Sequence, residues 1–227
     1  TSQRWRTADE VNRPLWQHWL TITRPKNVRS QTAMLFIGGG RNGNQAPRQA
    51  RDMILQLATA SQTVVCELGM VPNQPLIFHK DGIERSEDDL IGYAWDQYLK
   101  TEDPHWLPRL PMVKAVIRAM DSVQDLLKSS KPDPLTIEQF VIAGGSKRGW
   151  TTWMTAAADE RVTAILPIVI DVLNVKISMD HHYAAYGFWA PAIGDYVRHK
   201  VTHRRNAPGY AKLLQLVDPY AYRSRLK

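Results

Sequence analysis

The stretch "FVIAGGSKRGWTTW", Phe140 to Trp153, runs from apolar, β-prone residues into two glycines, a serine, two cations, a third glycine and an apolar segment. This is the order of a strand, a tight turn and a helix. In a parallel α/β sheet, ligands and chemistry gather at the carboxyl ends of the strands, and Ser146 stands at such an end. A turn this tight holds its central residue in a strained conformation, so its neighbours must be small. Gly144 and Gly145 before the serine and Gly149 after it supply that room. The pattern follows the logic of a nucleophile elbow with one departure: G-x-S-x-G becomes G-x-S-x-x-G, because Arg148 occupies the second position after the serine. Two other readings stay open here, a serine that merely caps the helix and a phosphate cradle, although no G-x-x-x-x-G-K-[ST] is present.

Working outward, "AMLFIGGG" (Ala33 to Gly40) and "TVVCELG" from Thr63 are continuous apolar runs, the pattern of strands buried on both faces. "EQFVIAGG" is a third such strand, and "VTAILPIVI" is expected to be a fourth. Upstream, Trp16, His18, Leu20 and Ile22 share one face of a period-two strand that ends before Pro25. Pro47 suits the first turn of a helix reaching about Ala60. Two more helices are expected, from Glu87 to Lys100 and from Pro111 to Lys128. In the second, Val113, Val116, Ile117, Met120, Gln124 and Leu127 form one stripe. Alternating strands and helices indicate an α/β fold with a mainly parallel sheet. Beyond Asp171 the sequence reads as helical or irregular, with "VLNVKIS" the only weak strand candidate.

A nucleophilic serine needs N–H groups that hold an oxyanion. One comes from the residue after the serine, Lys147, and another from the loop after an earlier strand. "GGGRN" follows the Ala33 strand and offers Gly39, Gly40 or Arg41. Lys147 and Arg148 add positive charge that suits an oxyanion or a substrate carboxylate. Arg148, Trp150, Asp171 and His182 are the candidate substrate contacts. Gly38, Gly40 and Gly43 also spell G-x-G-x-x-G, with Glu67 at the end of the next strand. A dinucleotide site would place the last glycine inside the helix, however, whereas here the loop continues to Pro47.

Composition excludes more than it assigns. The 227 residues, 44% of them hydrophobic, suffice for a sizeable core in one domain. The formal net charge of +7 reads as a solvated basic surface and not as a nucleic-acid site. "RHKVTHRR" (Arg198 to Arg205) reads as a solvated helix face. Cys66 is the only cysteine and lies in an apolar run. No stretch approaches the ~20 apolar residues of a membrane span. His199 and His203 share a helical spacing with no acidic third ligand, so no metal site is expected, and no cofactor.

"RPLWQHWLTITRP", "LIGYAWDQYL", "LPMVKAVIRAMDSVQ", "FVIAGGSKRGWTTW" and "VDPYAYRSRL" together resemble the PhoPQ-activated pathogenicity-related protein family, with which the slime-mould autocrine proliferation repressor is grouped. The elbow is also similar to that of glucuronoyl esterases, where a cation follows the serine as Lys147 does here. The resemblance implies an α/β-hydrolase-like fold and an exported protein, periplasmic or secreted, tied to virulence control and antimicrobial-peptide tolerance. It implies an esterase-like acyl-hydrolase acting on a small-molecule or cell-envelope ester, or alternatively a non-catalytic binding or signalling protein. Such hydrolases take their acid and histidine from strands after the serine. Neither is found in place before Lys227, so the chain is expected to be a fragment lacking its C-terminal strands and inactive alone.

Overall fold

The computed structural model describes residues 1–226. Along the chain run β1 (Gln3–Arg4), β2 (Leu15–Trp16), β3 (Leu20–Thr23), β4 (Thr32–Ile37), α1 (Asp52–Ser61), β5 (Val65–Leu68), α2 (Glu87–Thr101), α3 (Arg109–Ser129), β6 (Gln139–Gly145), α4 (Lys147–Ala158) and β7 (Val162–Ile168). Three helices follow: α5 (Val175–Tyr186), α6 (Gly194–Arg198) and α7 (Pro208–Val217). The apolar runs pair with one another in a five-stranded sheet of order β3-β5-β4-β6-β7, parallel throughout except for β3. β1 and β2 form a separate antiparallel pair.

β4 is central because both of its faces meet other elements. Ala33, Leu35 and Ile37 point into the main core, while Met34 and Phe36 pack against Ile54 and Ala58 of α1. α1 starts at Asp52, later than Pro47 suggests. Between Pro47 and Asp52 only Ala50 is apolar and partly buried, whereas Ile54 and Ala58 are spaced to reach Val65 and are fully buried. α3 buries Val113, Val116, Met120 and Leu127 as the stripe requires, and it starts two residues early with Arg109 inside the protein.

Three expectations are corrected. The period-two strand around His18 is split into β2 and β3, because the Asn73 side chain takes both backbone groups of Gln17. "VLNVKIS" leads into helix α5. "VTAILPIVI" is not buried on both faces: β7 has one partner, β6, and Leu166 and Ile168 are 51% and 44% exposed. An apolar run reports the affinity of a segment for burial and not the neighbour that provides it.

His18 illustrates how the core penalises charge. Burial is the main cause pulling its pKa down to about 4, against hydrogen bonding to the Gly69 carbonyl, 3.2 Å from Nδ1. The unfolded chain takes up this proton near pH 6.5 and the folded chain only near 4, so stability is full above 6.5 and falls between those values. Denaturant unfolding at pH 7 and pH 4.5 should differ by about 2.5 kcal/mol from this group alone. His18→Gln should remove that part; an unchanged difference contradicts the assignment.

Candidate active site around Ser146

The strand-to-helix turn is built by contact. Ser146 sits at φ 53°, ψ −124°, a conformation that L residues rarely adopt. Its N–H donates to the Ile168 carbonyl at 2.8 Å, tying the turn to the end of β7. A Cβ on Gly144 would stand 2.7 Å from the Arg148 backbone, and one on Gly149 would stand 2.6 Å from the Ile170 side chain and 2.8 Å from the Gly144 carbonyl. These two glycines let β6 and α4 touch. Gly145 has open space around it.

The Ser146 side chain does not cap α4, which rules out the capping reading. Among the described residues its hydroxyl makes no hydrogen bond, and the Lys147 N–H donates to no backbone or side-chain acceptor. The partly buried Ser146, its hydroxyl unbonded, thus stands at the positive end of a 12-residue helix beside a free N–H. That arrangement suits a group that becomes negatively charged.

The two cations after the serine are otherwise engaged. Lys147 is 6% exposed, with Nζ 2.5 Å from Glu87 and 3.2 Å from Asp88. Arg148 forks onto both Glu87 oxygens at 2.8 and 2.6 Å, and its Nε donates to the Val71 carbonyl. Burial raises the Glu87 pKa, but hydrogen bonds from Arg148, Lys147 and Gln74 outweigh it and hold the carboxyl at about 2. Arg148 is therefore an internal strut and not a substrate contact. Its guanidinium lies where a Gly39 side chain would be, 2.8 Å from such a Cβ.

A cavity of about 280 Å³ opens at Ser146. Trp150 forms part of its wall, with Nε1 donating to the Val217 carbonyl at 2.6 Å, and the exposed Asp171 stands at its edge. The other expected residues lie outside it. Gly39 and Gly40 pack beside Arg148 and the turn at Met70 and Gln74, the exposed Arg41 faces Glu84, and none of the three lines the cavity. His182 stacks on Trp189 and accepts from the Ala190 N–H. None of the seven histidines lines the cavity. His199 is bound to Asp89 at 2.8 Å, and among the described residues no three His, Cys, Asp or Glu side chains gather as metal ligands do. The rival dinucleotide reading also fails on geometry: α1 begins nine residues after Gly43, and Glu67 pairs with Arg51.

A family model described as "PhoPQ-activated pathogenicity-related protein" matches residues 1–227. The chain belongs to this family. A PhoPQ-related relative, autocrine proliferation repressor protein A of Dictyostelium discoideum, is 43% identical over 227 residues, covering 99% of this chain and 45% of its own length. The chain thus spans less than half of that relative. Two solved structures share its architecture: an acetyl xylan esterase from Paenibacillus sp. R4 (TM-score 0.58, 17% identity, 92% of this chain and 61% of that one) and acetyl xylan esterase 1 from Thermoanaerobacterium sp. JW/SL YS485 (TM-score 0.56, 13% identity, 92% and 60%). At such identities the likeness concerns the fold, which is that of α/β-hydrolases.

In this PhoPQ-related chain the sequence reading overlooked Glu87, Asp88, Arg109 and Tyr196. Glu87 and Asp88 read as acids in the first turn of a helix, where acids are common. Arg109 gave no sequence signal, since an arginine at the start of a helix is ordinarily exposed. It is fully buried: Nη1 reaches the Lys147 carbonyl and, at 3.2 Å, Thr151, while the ring of Trp150 lies 4.6 Å from its Cζ. Burial lowers its pKa to about 10, which leaves it charged at neutral pH. No helix is long and apolar enough to cross a membrane among the described residues.

Proposed function

We propose that this chain carries the nucleophile half of a serine acyl-hydrolase site. The observation that carries the reading is the Ser146 backbone at positive φ, with an uncapped hydroxyl and the Lys147 N–H free beside it. Ser146 Oγ attacks the ester carbonyl carbon and the alkoxy bond breaks. The hydroxyl proton passes through a base to the leaving alcohol, and water then releases the acid. The Lys147 N–H and the α4 dipole hold the oxyanion. A second N–H from the Gly39–Arg41 loop requires that loop to approach the cavity when substrate binds. The base is a histidine outside residues 1–227, a reading supported by the absence of imidazole from the cavity lining and by the 45% share of the Dictyostelium relative. The protein acts in the periplasm or after secretion, and its role in virulence follows the family name.

In the intact protein a fluorophosphonate probe should label Ser146 and leave Ser146→Ala unlabelled. No labelling, or equal labelling of the variant, would remove the nucleophile. Residues 1–227 alone should not turn over a p-nitrophenyl ester. A second reading, a binding or signalling protein built on a hydrolase fold, is favoured by the name of the 43% identical relative, a proliferation repressor. It predicts that Ser146→Ala leaves the biological activity intact.

A further inference from the structure

The cavity at Ser146 contains a cation without a counterion. Arg109 is 2% exposed, and among the described residues no carboxylate lies within 4.0 Å of it. Its Nη1 is bound to the Lys147 carbonyl and Thr151, but its buried Nε has no partner. The nearest acid of the cavity is already committed: Asp88 holds Lys147 through Oδ2 and the Tyr196 hydroxyl, 3.2 Å away, through Oδ1. Asp171 stands exposed at the edge. The rest of the wall is largely apolar, with Trp95, Trp150, Ile170, Val172 and Val201. A buried charge left unpaired is costly, and apolar walls strengthen its attraction for an anion.

We propose that Arg109 recognises a carboxylate carried by the substrate, so that the site takes short esters whose acyl part ends in a second acid group. The inference rests on the acyl-hydrolase reading for the reaction, though not for the binding. Lys147 and Arg148, the cations nearest the serine in sequence, are neutralised by Glu87 and Asp88 and leave this task to Arg109. The Trp150 ring lies 4.6 Å from Cζ, a cation–π contact that helps hold the guanidinium in place, and a guanidinium recognises a carboxylate better than an ammonium does. The volume of about 280 Å³ suits a short dicarboxylic half-ester and excludes an extended polymer from the interior.

The test uses glutarate and its uncharged diamide, glutaramide, with the intact protein. Glutarate should slow fluorophosphonate labelling of Ser146 and raise the melting temperature, and glutaramide should do neither. Calorimetric affinity for glutarate should fall about tenfold or more in Arg109→Met, the loss expected for a charge-assisted hydrogen bond, and partly return in Arg109→Lys. Should Arg109→Met not fold, the wild-type contrast between glutarate and glutaramide still decides. Ser146→Ala should keep the glutarate-induced thermal shift. If labelling fails but glutarate binds through Arg109, the nucleophile falls and the carboxylate site stands. If labelling succeeds but glutarate gives no protection, or binds Arg109→Met as well, the carboxylate site falls and the nucleophile stands.

Discussion

Gly149→Ala should destabilise the protein by on the order of 3 kcal/mol, lowering its melting temperature by about 10 °C. The intrinsic effect has the opposite sign, because alanine inside a helix is favoured over glycine by about 1 kcal/mol. Packing decides. The new Cβ would stand 2.6 Å from Ile170 Cγ2, 2.8 Å from the Gly144 carbonyl oxygen and 3.2 Å from the Ile168 nitrogen. Two of these atoms are backbone, so relief requires β6 and α4 to separate. That separation moves Ser146, and fluorophosphonate labelling should fall with stability. Gly145→Ala is the control: nothing lies within 4 Å of its Cβ and its φ is not positive, so stability should stay within about 0.5 kcal/mol. Equal melting temperatures for the two variants would show that the turn does not depend on this contact.

The second large effect concerns Glu87. Its carboxylate accepts from Lys147, from both Arg148 terminal nitrogens and from Gln74. Glu87→Gln leaves Lys147 with Asp88 alone and Arg148 with the Val71 carbonyl, two nearly buried cations short of charge. Breaking a fully buried pair costs about 3–5 kcal/mol and a surface pair about 0–1. The Glu87 side chain is 42% exposed, which places the expected loss at about 2 kcal/mol. The pH dependence identifies the cause. Glu87 titrates at about 2 in the folded chain and near 4.5 when unfolded, so its contribution is complete above 4.5 and disappears as pH falls through 2. The gap between wild type and Glu87→Gln should close across that window, which meets the His18 range only between about 4 and 4.5. A gap that stays constant to pH 2 would assign the loss to shape and not to charge.

These effects explain which features were legible beforehand. The elbow was readable because glycine is required where backbones touch, and the requirement is local: Gly144 contacts Arg148 four residues on. The stripe of α3 was readable because a helix presents every third or fourth residue to one side. The burial of β7 was misread because a run of apolar residues names no neighbour, and among the described residues β6 is the one strand paired with it. Arg148 was misassigned because a cation beside a serine reads the same whether it faces a ligand or an acid 61 residues away.

The sequence by itself determined the α/β alternation, the strand–turn–helix at Ser146 and the family, since each rests on residue types within short windows and on blocks that resemble the family. Only the tertiary structure decided which charges remain unmatched. It joins Glu87 and Asp88 to Lys147 and Arg148, and it buries Arg109 in the wall of the Ser146 cavity with no carboxylate within 4.0 Å among the described residues. Charge balance at a site is a sum over groups brought together from α2, α3 and α4, and no window of sequence contains all of them.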